Sequence, residues 1–326
     1  MRRMLLAVLV TPLVLAIAGC ATLAAAPGTA PTTASAEPTA QRLTTSVPVT
    51  VLEANDGPQL CTGMILDSLP PQCSGTRLEG WNWDDHAGQF STAGGLDGAT
   101  AVPDVGPPVV RWGEFVVTGT YDPQRDVLAV DEAIPASEAP APTPTSAPAS
   151  PDSTFRSPCP APAGGWTLVD PKRATDADLQ RAEETANGLP NLSVTWVDTI
   201  TLADPTLSDL EATYTDPART ILNVRVTADP AGAEAAMRAV YGGMLCISTG
   251  GHAAGELQRI ADELWANANS GTLGSPGTRL EWATPDDLAD RVDVQVVYDD
   301  GSLQADLDER YGAGVTVVSS VLQHVG

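Results

Sequence analysis

The chain has 326 residues, with 17 Lys and Arg against 41 Asp and Glu, for a formal charge of −24. So acidic a chain lacks the cationic patches that nucleic acid or anionic headgroups require. Its 43% hydrophobic residues are enough for a core, while 28 prolines and 29 glycines predict long stretches outside regular structure. The length accommodates about two domains. Beyond the N-terminus, no apolar run approaches the ~18 residues of a membrane-spanning helix.

The first twenty residues carry a targeting pattern. Arg2 and Arg3 form a cationic start, and Met4–Ala16 is a short apolar stretch broken by Thr11 and Pro12. Ile17-Ala18-Gly19-Cys20 follows. The order aliphatic, small, small, Cys resembles the lipobox of bacterial lipoprotein signal peptides. That resemblance implies diacylglyceryl transfer to the Cys20 sulfur, with residues 1–19 removed as signal peptide. Only a thiol serves as the nucleophile in that step. Ala16-Ile17-Ala18 also fits an ordinary A-x-A cleavage site, and an uncleaved anchor is the other alternative. Cysteine parity favours the lipobox. There are five Cys; acylating Cys20 leaves four, an even number for an oxidising compartment. Acyl chains on Cys20 then make the membrane a partner and place the chain on the extracytoplasmic face of the cell membrane.

Residues 20–45 are an Ala/Pro/Thr tract too poor in bulky apolar side chains to build a core, and they read as a tether. Residues 46–135 read as a small all-β domain. Val47, Val49 and Val51 alternate; Leu78–Trp83, Val109–Tyr121 and Asp126–Ile134 are further strands, with Gly113 as a bulge. Residues 122–125 supply the turn before the last strand. The ending Gly119-Thr120-Tyr121, Val127, Val130 resembles an OB-fold barrel, which implies a small closed barrel of four or five strands. Residues 136–163, rich in Pro, Ala and Ser, read as a linker.

Residues 164–326 alternate helix and strand signals. Thr175 and Asp178 form a capping box ahead of Leu179, Ala182, Ala186 and Leu189 at helical spacing. Val194–Leu202 is a strand. Asp229-Pro230 is an N-cap followed by Pro at the first helical position, with Ala233, Met237 and Val240 on one face. Leu257, Ile260, Ala261 and Leu264 line another helix. Residues 221–249 align without gaps on 291–319: Val224/Val294, Val226/Val296, Asp229/Asp299, Ala235/Ala305, Tyr241/Tyr311 and Gly242/Gly312 are identical. Each copy reads as strand–helix–strand, with the Asp opening the helix, the Tyr ending it and the Gly as C-cap. Two such βαβ units around one sheet predict an α+β ferredoxin-like sandwich with an extra helix between its halves. Four Cys allow three pairings. Cys61–Cys73 with Cys159–Cys246 is preferred because each pair stays within one region.

Candidate chemistry is sparse. The only histidines are His86, His252 and His324. None sits in a zinc-protease, P-loop or G-x-S-x-G setting. His252 follows Ser248-Thr249-Gly250-Gly251, and Glu256 lies four residues on, which reads as an anion or metal site at a helix N-terminus or as a plain turn and cap. Trp81 and Trp83, on one face of a strand, are either a stacking surface for sugars or core. Asp84-Asp85-His86 is a metal loop or a solvated one. Asp299-Asp300-Gly301-Ser302 is incomplete as an EF-hand loop and reads as a turn capped by Ser302. No cofactor or metal is implied.

Lipobox, Arg-over-Lys usage (Lys172 is the one lysine), Ala/Pro/Thr tether and the segments 60–75 and 241–246 resemble uncharacterised lipid-anchored envelope lipoproteins of high-GC Gram-positive bacteria. The resemblance implies no particular activity. The expectation is a non-enzymatic binding or interaction protein whose partner is an envelope protein or glycan and not nucleic acid. The alternatives are a hydrolase of envelope polymers using His252 or His86, and a structural spacer.

Overall fold

A computed structural model describes residues 42–54, 56–93, 109–140, 154–199, 201 and 216–325. Cys20, the signal pattern and most of the tether lie outside them. The described residues belong to a single unit, Ala40–Gly326. It is mostly β, with a closed five-stranded barrel, two further three-stranded sheets and four helices among the described residues.

The barrel strands are β2 (Val49–Ala54), β3 (Gly57–Leu60), β6 (Thr76–Glu79), β8 (Val110–Asp122) and β9 (Val127–Pro135). Their circuit runs β2–β3–β6–β9–β8 and back to β2. All neighbours are antiparallel except β6 and β9. Closure leaves no free edge among the five. β4 (Ile65–Leu66) and β5 (Gln72–Cys73) form a small separate hairpin, and β7 (Ser91–Ala93) pairs with the start of β8. Gly113 is not a bulge: Val51 and Trp112–Phe115 run in register through it, and the irregularity falls at Thr118/Gly119. Gly113 is needed for close packing, since a Cβ there would lie 2.7 Å from the Phe115 ring and 2.8 Å from the Gln89 carbonyl.

The barrel sheet reaches beyond residues 46–135. Arg42–Thr45, assigned to the tether by composition, form β1. β1 pairs with β8 on one side and with β16 (Leu322–His324), near the end of the chain, on the other. Leu43, Val297 and Leu322 accordingly join Val51, Leu60, Leu78, Phe115, Val117 and Leu128 in one buried cluster.

The internal repeat is larger than strand–helix–strand. The first copy comprises α1 (Asp176–Asn187), β10 (Leu192–Asp198), β11 (Ile221–Val226), α2 (Pro230–Val240) and β12 (Met244–Thr249). The second repeats the order as α3 (Glu256–Ser270), β13 (Leu280–Asp286), β14 (Arg291–Val296), α4 (Ser302–Tyr311) and β15 (Thr316–Ser320). In each, the first two strands are antiparallel and the last two parallel. Each first strand carries a register shift at the same place, Leu192/Val194 and Leu280/Trp282. Ile221 faces Met244 but Val292 faces Thr316, so the second crossover is one residue longer.

The single ferredoxin-like sheet is not formed. β11 and β14 have both edges occupied by strands of their own copy, so neither is free to pair across. The helix expected as an insert, α3, is the first helix of the second copy. It buries Leu257, Ile260, Ala261 and Leu264 against Val292, Val294 and Val296. The first copy has its own core of Ala182, Ala186, Val224, Val226, Met237 and Tyr241.

Capping follows the sequence in part. Thr175 and Asp178 make the reciprocal capping box, and the Asp229 carboxylate accepts from Gly232 N. The second copy departs from this. Gly301 is the N-cap of α4, and Asp299, one turn back, accepts from Leu303 N and Gln304 N while Ser302 is already helical. α4 ends on Gly312 at φ +101°, but α2 ends on Tyr241 and not on Gly242.

Both disulfides pair as preferred, Cys61–Cys73 and Cys159–Cys246. The second corrects the linker. Residues 154–163 were grouped with it by composition, yet Cys159, with Trp166 and Leu168, covers Ile221, Met244 and Cys246 on the outer face of the first sheet. Asp198, fully buried, accepts from Ser157 N at 2.6 Å, and the Trp196 indole donates to the Phe155 carbonyl at 3.1 Å. At the positions matching Ile221 and Asn223 the second copy has Arg291 and Asp293.

Candidate functional site

A groove of about 610 Å³ opens on the barrel. β2 supplies Thr50, β8 supplies Trp112 to Glu114, and the end of β9 supplies Pro135 to Ser137. The turn after the short 3-10 helix Trp83–His86 adds Gly88 to Ser91. The fourth wall is the hairpin loop closed by Cys61–Cys73, through Ser68, Leu69 and Pro71. Leu69, Pro71, Phe90, Trp112 and Pro135 make about half of the lining apolar, and Thr50, Ser68, Gln89, Ser91, Glu114 and Ser137 make the rest polar. Gln89 is engaged with Glu138 at 3.1 Å.

Trp83 is a core residue, whereas Trp81 is half-buried and lines a small pocket with Asp85, His86 and Glu132. Gly80, at φ +82°, breaks the strand alternation after Glu79, so the two indoles do not share a strand face. Trp83 begins the 3-10 helix, capped by the Asn82 side chain, and is 4% exposed. It packs on Phe90 at 4.8 Å between ring centres. Trp81 is sandwiched between the His86 ring, stacked at 4.7 Å, and Phe115, edge-on at 5.0 Å. His86 is thereby an aromatic neighbour. Asp85 accepts from Asn82 at 3.1 Å. Among the described residues, no three His, Cys, Asp or Glu converge as a metal site.

His252 does not pair with Glu256, which instead accepts from the backbone N of Ala253 at 3.3 Å. Its partner is Asp290, in the β13–β14 turn: the Asp290 carboxylate takes the His252 backbone N–H at 2.7 Å and lies 3.0 Å from Nδ1. Asp290 holds this position at φ +59°. Arg225 stands alongside, donating from Nε to Ser193 Oγ at 3.2 Å and from its guanidinium to the carbonyls of Leu288 and Asp287. The cluster therefore joins the two copies of the repeat. A His–carboxylate pair orients a general base, but the hydroxyl beside it, Ser193, is held by Arg225.

A second charged cluster was not signalled by any motif. Asp126, in the β8–β9 turn at φ +50°, accepts from Thr76 Oγ1 at 2.8 Å and the Tyr121 hydroxyl at 3.2 Å, and pairs with Arg279. Arg279 Nε is 3.0 Å from Glu281, which also accepts from Thr62 Oγ1 at 2.8 Å. Burial pushes the Glu281 carboxyl above the ordinary carboxylate range, against the opposing pull of Thr62 and Arg279. Burial, then the Asp126 charge, pushes the Tyr121 phenol well above its ordinary value. The cluster joins the barrel to the second copy. Its members are 153 and 219 residues apart for Arg279–Asp126 and Thr62–Glu281, so only an anomalous buried charge in β13 (Glu281 beside Leu280) could have hinted at it.

No family model matches the chain, and comparison with curated proteins and with solved structures finds no match.

Proposed function

We propose that the chain is an extracytoplasmic, lipid-anchored binding protein of the cell envelope, with the barrel groove as its ligand site. The observation that carries this reading is the groove of about 610 Å³, part apolar and part polar, walled on one side by a disulfide-stapled loop. Two disulfides fit an oxidising compartment, and the lipobox-like Ile17–Cys20 supplies the anchor. The circuit β2–β3–β6–β9–β8, with β6 and β9 parallel, supports an OB-like barrel. Barrels of that kind often take oligonucleotides, but residues 46–135 hold 13 acidic residues against three arginines, which favours an uncharged or cationic envelope ligand, a glycan, peptide or amphiphile.

The test has two arms. Cys20→Ser is expected to move the chain from the membrane fraction to the soluble one; unchanged membrane retention removes the anchor. Native mass spectrometry of the chain from its own host is expected to show a bound mass that leaves on denaturation. Ser137→Trp, at an exposed rim position, is expected to abolish that mass. A bound mass that survives the substitution, or a bare wild-type chain, overturns the groove as the ligand site.

A further inference from the structure

We propose that the stapled hairpin Met64–Pro71 is a membrane-docking loop, whose apolar tip enters the headgroup boundary of a phospholipid bilayer. Its side chains point outward: Met64 is 79% exposed, Ile65 42%, Leu66 51% and Leu69 85%. Four large apolar side chains so exposed within six residues are unlike the scattered singles of an ordinary surface. Between the two cysteines, Asp67 is the one charged residue.

Much of the loop's polar backbone is satisfied internally, as entry into an apolar medium requires. β4 and β5 pair through Ile65/Cys73 and Leu66/Gln72. Ser68 N donates to the Leu66 carbonyl at 2.8 Å and Ser68 Oγ to the Pro70 carbonyl at 2.9 Å. The Gln72 amide donates to Ser68 Oγ at 3.3 Å. Pro70 and Pro71 carry no N–H at all. The Cys61–Cys73 bridge holds the base of the loop, so little ordering is left to occur on contact.

The bilayer is the occupant to which the chain outside the described residues points. This step rests on the anchored reading above. Twenty-one residues separate Cys20 from Arg42, where β1 begins. Extended at ~3.1 Å per residue they span ~65 Å. The loop of an anchored molecule therefore samples the same membrane surface at high effective concentration. The acidic body opposes approach to anionic lipid, but at 0.15 M salt charges beyond ~8 Å are screened, which leaves the tip, with Asp67 as its single charge, as the contacting edge.

The experiment uses the chain from Ala21 onward, which lacks the acyl anchor and keeps every described element. It is floated with phosphatidylcholine vesicles and with vesicles containing phosphatidylglycerol. The expected result is co-flotation, stronger on phosphatidylcholine, with the difference closing as salt is added. The pair Met64→Asp and Leu69→Asp should lower the partition coefficient by about 10- to 100-fold, from the transfer of two side chains of this size. Met64→Ala with Leu69→Ala should fall between, and neither pair should shift the thermal midpoint, because both positions are exposed. No flotation of the parent chain, or equal flotation of the Asp pair, overturns the proposal. Because the acyl chain is absent, failure here is separate from failure of Cys20 as anchor.

Discussion

Replacing Arg279 with alanine should unlock the barrel from the second copy of the repeat. The guanidinium serves two carboxylates, Asp126 and Glu281. Removing one partner of a buried pair costs about 3–5 kcal/mol, because the remaining charge stays buried. The side chains here are 27% exposed for Arg279, 32% for Asp126 and 5% for Glu281. Solvent reaches the Asp126 side of the cluster, so the loss is placed lower, at about 2–4 kcal/mol. For a unit of this size that is a fall in Tm of about 5–10 °C. The loss should depend on pH. The Glu281 carboxyl is raised by burial, so its contribution to stability is full below its unfolded value of 4.5 and is lost as pH rises through its folded value. Without Arg279 that folded value rises further, and the gap between variant and parent should widen from pH 4.5 to 7. Calorimetry across that range reads it directly. Glu281→Gln, which keeps an acceptor for Thr62, should reduce the pH dependence in both backgrounds. A loss below about 1 kcal/mol, or one that is flat with pH, refutes the electrostatic account.

Two further outcomes follow from the packing. Replacing Cys159 and Cys246 by serine opens a loop of 87 residues, for which chain entropy alone gives about 4–5 kcal/mol, against about 3 kcal/mol for Cys61 and Cys73 with 12. Chemical denaturation of the two double variants should rank them in that order, and a reversed order would mean that loop closure is not the dominant effect. Leu322→Ala removes a fully buried side chain that β16 delivers to the barrel core, at a cost of about 2–5 kcal/mol. Barrel and repeat should then unfold in one earlier transition followed by Trp fluorescence; a barrel transition unmoved by the substitution contradicts the role of β16.

Much of the local structure was readable without coordinates. The capping box at Thr175, the Asp229-Pro230 start and the α3 stripe of Leu257, Ile260, Ala261 and Leu264 all formed where side-chain type and spacing placed them. The 70-residue repeat was visible because each copy keeps the same buried valines, Val224 and Val226 against Val294 and Val296. These signals act within one or two turns, or recur along the chain, so a linear reading captures them. The repeat was nevertheless read one helix and one strand too short, since α1/α3 and β10/β13 share no residue pattern strong enough to align.

The candidate site was less legible. Its groove is assembled from five separate stretches between Thr50 and Ser137, none with a motif of its own. His252 lay beside Glu256 in sequence but found Asp290, and one glycine of positive φ separated Trp81 from Trp83, of which only Trp83 is fully buried.

What the sequence determined by itself was the local vocabulary: the acidic balance, the cysteine pairing within regions, the helix starts, the β character of the first half and the existence of a repeat. Tertiary structure decided how these close on one another. It chose two separate three-stranded sheets over one, because each central strand was already paired on both edges. It brought β16 to β1 across nearly the whole chain, and it stapled part of the apparent linker onto a sheet face that would otherwise expose Ile221 and Met244. Such choices rest on burial and on hydrogen-bond partners that are distant in sequence, and those exist only once the chain has folded.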